Sequence, residues 1–328
     1  MQKLLKNSFI VLLGVFALLF VLSFLTNAQE SLKQANAFFL IIAAIFFLVS
    51  VFAWIISWGY LIKKHHKIAF SRLLVIGYSS LYGSLSPVQI GTEALRSLRL
   101  KAEGIGFSDA LSAGFIVKGI KFLILALLFL GVLLLFLAST QINEFFRLAL
   151  LSGFIVVSFG AMLFLLPFHK PFGKKLVAFF ESASKKISFF SHAERFFQAY
   201  SNYASTVSAK DFCIIFFFTA ISWLFEIFAL QFSFIALNIG LSFLAIMVLF
   251  ILAAVLERTP LLPRGLGLVE FVGFTYLSIP AFTGTGLSIS QIGGVLIIYD
   301  IARLVIPTIV SIAVALLFKV DFEKETKS

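Results

Sequence analysis

Residues 37–62 read AFFLIIAAIFFLVSVFAWIISWGYLI, an apolar run without a charged side chain. A helix of about 20 such residues, rising 1.5 Å per residue, already spans the hydrocarbon core of a bilayer. The run therefore reads as a transmembrane helix, and much of the chain resembles it. Of the 328 residues, 61% are hydrophobic, 12% are charged and 43 are Phe, and mean hydropathy is +1.07. A soluble domain carries roughly a quarter charged residues, and no soluble core holds so much Phe, Leu and Ile. Apolar runs predict about eight crossings, over 8–26, 37–62, 110–138, 146–167, 212–237, 241–256, 265–281 and 290–318. Two more apolar pieces, near 70–86 and 258–266, are too short or too interrupted to cross alone. The expected fold class is all-α: a polytopic membrane helical bundle with one or two re-entrant or broken helices.

The first run, Phe9 to Leu25, follows Lys3 and Lys6 as in a secretory signal. It is long for a signal core and reads as a retained first helix. Connections sort by charge. The amino terminus, 63–109, 168–211 and the carboxyl tail carry Lys63, Lys64, Lys67, Arg72, Lys101, Lys170, Lys174, Lys175, Lys185, Lys186, Arg195 and Lys210, whereas 27–36, 139–145, 238–240 and 282–289 are nearly free of Lys and Arg. The positive-inside rule makes the first set cytoplasmic and places both termini inside the cell membrane. That rule also accounts for the net charge of +11, so nucleic acid is not an expected partner. In 168–211, Leu176, Phe180, Ile187, Phe190, Phe197 and Tyr200 recur at helical spacing among lysines, as in helices lying on an anionic lipid surface. This segment joins two loosely repeated halves, about 1–167 and 212–328, of a single transmembrane domain. Cys213 stands alone, and His65, His66, His169 and His192 form no metal-binding pair, so no metal or cofactor is expected.

Chemistry is expected where the helical pattern breaks. In Ser86-Pro87-Val88-Gln89-Ile90-Gly91-Thr92-Glu93-Ala94-Leu95-Arg96, Pro87 withholds a backbone donor and Gly91 admits a turn. Thr92 is a candidate N-cap of a new helix with Glu93 in its first turn. Arg96 and Arg99 follow at steps of three, which sets Glu93 against Arg96 on one face. A helix start beside an arginine can receive a phosphate; a plain capping turn with a surface ion pair is the simpler alternative. The device recurs at Pro263-Arg264-Gly265-Leu266-Gly267-Leu268-Val269-Glu270. Paired interruptions in two halves point to a transporter's binding site.

At these residues the chain resembles the flippase-like membrane domain shared by the lysylphosphatidylglycerol synthase transmembrane region, UPF0104 proteins and archaeal proteins of lipid-linked glycan assembly. Ser86, Pro87, Gly91, Glu93 and Arg96 match the first signature of that family, and Pro263, Gly265, Gly267 and Glu270 the second, with Arg264 in place of a glycine. The resemblance covers almost the whole chain in length, hydropathy and motif order. Relatives often carry a Glu-Arg pair and an Asp after the first signature, where this chain has Val117, Lys118 and Lys121. On the last helix, relatives often have an Arg seven residues before a Pro. This chain has Asp300 before Pro307, with Arg303 one turn on. Lys118 or Lys121 is therefore a candidate partner for Asp300. Glu226 sits deep in a predicted crossing, facing a substrate path or an inner lysine.

The resemblance implies a lipid transporter. The expected substrate is a phosphorylated, aminoacylated or glycosylated, polyprenyl-linked lipid, and the expected site is Pro87, Gly91, Thr92, Glu93, Arg96, Arg99, Arg264, Gly267 and Glu270. Lys118, Lys121, Glu226, Asp300 and Arg303 form an expected polar pathway. The synthase's aminoacyl transfer belongs to a separate soluble domain, and this chain ends at Ser328 soon after its last apolar run, so it is not expected to be an enzyme. A membrane enzyme acting on a lipid phosphate and an accessory protein are the alternatives. Expected partners are anionic or glycan-linked membrane lipids and, in an oligomer, a second copy of the chain.

Overall fold

A computed structural model of the chain describes residues 2–85, 91–137, 144–184, 189–257, 265–280, 284 and 286–318. Its ordered elements are helices: α1 (Gln2–Thr26), α2 (Ala28–Lys33), α3 (Ala37–His65), α4 (Phe70–Ser79), α5 (Gly91–Ala102), α6 (Phe107–Leu137), α7 (Glu144–Leu165), α8 (Lys170–Ser184), α9 (Phe189–Ala204), α10 (Ala209–Ile235), α11 (Phe243–Leu256), α12 (Leu268–Leu277) and α13 (Ile289–Leu317). Five stretches are long and apolar enough to cross a membrane among the described residues: 37–65, 107–135, 150–168, 209–235 and 289–317. Large apolar side chains that a soluble protein would hide, such as Phe20, Leu25, Phe38 and Leu148, stay exposed, as a hydrocarbon solvent permits.

Two of the apolar runs form short helices, as expected for broken or re-entrant segments. The 241–256 and 265–281 runs form α11 and α12, of 14 and 10 residues. At 1.5 Å per residue they reach about 21 and 15 Å, short of the roughly 30 Å core. The reason lies between them. Glu257 ends α11, and Gly265 and Gly267 take φ of +66° and +85°. A β-carbon on Gly265 would stand 2.8 Å from the Leu256 carbonyl oxygen, so only glycine lets the chain fold back this tightly. α12 then opens with the Glu270 carboxylate accepting from the Gly267 amide, half of a capping box.

Contacts divide the chain into two interleaved units, one of 1–52, 74–92 and 221–328, the other of 53–73 and 93–220. The 168–211 segment lies inside the second unit. In the first unit, Gly293 and Gly294 of α13 admit Thr26, Ser31 and Leu237 where a β-carbon would collide. Val15, Leu19, Ala28, Leu85, Ile297, Leu304 and Val305 bury one another there. Phe46 stacks among Phe225, Phe228 and Phe232, the kind of close helix contact that membrane bundles rely on.

In the second unit, Gly119, Gly153 and Gly160 receive Phe164, Phe129 and Phe122 across α6 and α7. α9 packs rather than lying free. Tyr200 is buried, its ring meets Phe115 and its hydroxyl donates to the Phe164 carbonyl at 2.5 Å. Burial pushes that phenol well up, so it remains a donor. Phe180 and Phe197 stack at 4.5 Å, so much of the apolar face expected for lipid is used between α8 and α9. Asp211, at the start of α10, accepts from Ser208, Tyr60 and Lys64, which ties it to the end of α3.

Candidate functional site

Each unit holds a cluster of buried charged side chains among the described residues. From Glu93 onward α5 belongs to the second unit; it is helical from Gly91, so Thr92 lies inside the helix rather than capping it. A shift of one residue is ordinary at helix ends. Thr92, Glu93, Arg96 and Arg99 are all buried. The Arg96 guanidinium, 1% exposed, lies 4.2 Å from the Trp58 ring centroid and 4.7 Å from that of Trp54. Lys121 approaches Trp54 at 5.2 Å, so two cations share one indole. Gly114 of α6 makes room for them: a β-carbon there would lie 2.7 Å from Arg96 Nη2 and 3.2 Å from Glu93 Cγ. Gly114, Lys118 and Lys121 follow at helical steps of four and three, one stripe of α6.

Arg96 Nε and Nη1, Glu93 Oε2, Ser97 Oγ, Ser112 Oγ and Trp58 Nε1 are buried without a hydrogen-bond partner among the described residues. Glu93 and Arg96 share a face, as their spacing predicts, yet both side chains meet Gly114 and the guanidinium keeps unused donors. Burial draws Arg96 down to about 10, a pull that Glu93 partly opposes. It is still charged at neutral pH. A desolvated cation with free N–H groups and aromatic faces is a receptor for an oxyanion.

The first unit is organised around Arg303. Its Nε donates to Asp300 Oδ1 at 2.6 Å, Nη1 to Glu257 Oε1 at 2.7 Å and Nη2 to Glu270 Oε1 at 2.6 Å. All four residues are buried. Pro307 has no N–H to offer the Arg303 carbonyl, and the helix widens into a π turn over Ile301–Val305. Asp300 thus takes Arg303, on its own helix, as partner, and its other oxygen, Oδ2, carries no hydrogen bond among the described residues. Glu270 belongs to this cluster, and the Arg303 side chain is fully enclosed.

Glu226, also in the first unit, accepts from Ser50 at 3.0 Å, and Ser50 meets Ser222 at 3.1 Å. Its partner among the described residues is thus the Ser50 hydroxyl. Pro87 and Arg264 lie outside the described residues. Sequence reasoning missed Trp54, Trp58 and Glu257. The two tryptophans stand four apart on α3, a stripe that a buried cation selects, and Glu257 is a lone acid closing an apolar run.

A helical bundle with several membrane-length segments, broken helices and buried ionic clusters defines a polytopic membrane protein. The chain belongs to the family described as the lysylphosphatidylglycerol synthase TM region, whose model matches residues 9–311. It is similar to a UPF0104 membrane protein of Methanothermobacter thermautotrophicus, 24% identical over 254 residues, which cover 71% of this chain and 72% of the relative. It is thus a multi-pass membrane protein of a lipid-related family.

Proposed function

We propose that this protein is a lipid transporter that moves a phosphorylated, aminoacylated or glycan-linked lipid across the cytoplasmic membrane, with both termini on the cytoplasmic side. The observation that carries the proposal is the Arg96 guanidinium, buried between two indoles with Nε and Nη1 unused among the described residues. A lipid phosphate supplies the acceptors those donors lack, and Lys121 adds a second positive charge beside Trp54. The headgroup reaches Arg96 when the indoles move off its faces, and Lys118, one turn before Lys121 on the same stripe, continues the cationic surface. The family's link to a lysyl-lipid synthase agrees with such a substrate, and the role assigned here is movement rather than turnover.

The test is reconstitution into liposomes holding labelled phosphatidylglycerol, lysylphosphatidylglycerol or a polyprenyl phosphate, followed by leaflet accessibility and mass. Movement without change of mass is expected for one of them. A product of altered mass would make the protein an enzyme, and neither movement nor turnover would leave an accessory role. A hydrogen bond to a charged group contributes about 1.5–3 kcal/mol, so Arg96→Ala should weaken headgroup binding roughly 10- to 100-fold. Unchanged binding by a folded variant would sink the assignment.

A further inference from the structure

Around one guanidinium, Arg303, three buried carboxylates converge, more negative charge than a single cation balances. Asp300 and Glu270 are 1% and 4% exposed, and each places an oxygen 2.6 Å from a nitrogen of the same guanidinium. Asp300 Oδ2 is sealed from water with no hydrogen-bond partner among the described residues. Ionised carboxylates gathered on one buried cation repel each other, and a desolvated acceptor without a donor is costly. One proton removes both defects, because it cancels a charge and turns an acceptor into a donor. A metal ion does not fit the same place: the guanidinium already occupies the focus of Asp300, Glu257 and Glu270, 2.6–2.7 Å from each.

We propose that Asp300 and Glu270 hold one exchangeable proton between them, and that its uptake and release drives lipid movement; the second half rests on the transport function above. Among the described residues, the charged and titratable groups facing the pair are Arg303 from their own cluster, Glu257 at the end of α11 and Tyr299, whose ring centroid lies 5.4 Å from the Arg303 guanidinium carbon. Protonation weakens the hold of Asp300 on Arg303 Nε and leaves the guanidinium to Glu257 and Glu270. Those two residues flank the break between α11 and α12, and Arg303 sits in the π turn, so the proton is read by the least regular backbone of this unit. Proton transfer here is an exchange with water or with the substrate's own acidic group and needs no other reactant.

The experiment is infrared difference spectroscopy of the full chain in lipid nanodiscs across a pH titration. The expected signal is the carbonyl stretch of a buried protonated carboxyl group, shifted in deuterium oxide. It is lost in Asp300→Asn and in Glu270→Gln, and kept in Glu226→Gln, which removes the other described carboxylate deep in a span. Thermal melts select the folded variants, and the isosteric Asn and Gln keep an acceptor for Arg303. Absence of the band, its survival in both variants, or its loss on adding Na⁺ at fixed pH would overturn the proton site. In liposomes, a pH gradient should change the rate of lipid movement by wild type and leave Asp300→Asn unresponsive. Movement indifferent to the gradient, with the band present, overturns the coupling; no lipid movement at all defeats the transport function, while the infrared result still decides the proton site.

Discussion

Arg96 holds its charge under conditions that work against it. An unsatisfied buried donor costs about 1–3 kcal/mol, and two nitrogens of this guanidinium are in that state among the described residues. The two indoles return about 0.5–2 kcal/mol each, which falls short of or barely meets that cost. A base held below its usual value in the folded protein favours the unfolded chain wherever it is charged, and with Arg96 near 10 that includes neutral pH. Arg96→Met, similar in reach and apolar, should therefore melt at or above the wild-type temperature while losing headgroup binding; a clear drop in Tm would show that the charge is structural. By the same sign, headgroup affinity should be level from about pH 6 to 8 and fall only as the pH approaches 10. Spacing exposed Glu93, Arg96, Asp300 and Arg303 as charges out of place. It was silent on Trp54, Trp58 and Gly114, which only their juxtaposition with Arg96 distinguishes from ordinary apolar packing.

The break between α11 and α12 is where backbone conformation matters most. Gly265 combines a left-handed φ of +66° with a carbonyl oxygen 2.8 Å from any added β-carbon. Gly265→Ala should cost about 1–3 kcal/mol and lower Tm, and because Glu257 and Glu270 flank the break it should also disturb their hold on Arg303. Gly131, on α6 with open space around its β position, is the control: Gly131→Ala should leave Tm unchanged or raise it, as alanine favours a helix interior. Equal melts for the two variants would mean that the break is not specified by glycine. The Pro/Gly pattern announced an interruption here, but whether the flanking helices cross depended on length. Apolar runs of 241–256 and 265–281 look continuous enough until Glu257 and the two left-handed glycines are seen to end them.

Charge asymmetry between loops makes a claim about the entire chain. With Cys213, which is exposed, replaced by Ser, a cysteine introduced at Lys175 should react with a membrane-impermeant reagent only from the cytoplasmic side, and one at Gln34 only from the other. The reverse pattern, or labelling of both from one side, would overturn the proposed orientation. The membrane class followed from composition alone, since a chain that is 61% hydrophobic and 12% charged cannot hide its apolar surface in water. Helix positions followed from runs of Phe, Leu and Ile, because hydrocarbon forces the backbone to satisfy its own hydrogen bonds. Proline and glycine marked the breaks for the same reason, as places where that satisfaction fails. Tertiary structure alone decided which buried charges are paired. Arg303 has three carboxylates and Arg96 has two indole faces, and Asp300 pairs with Arg303 on its own helix. An ion pair depends on distances of a few ångströms in a low-dielectric interior, and residue spacing along one helix cannot report what a separate helix brings to it.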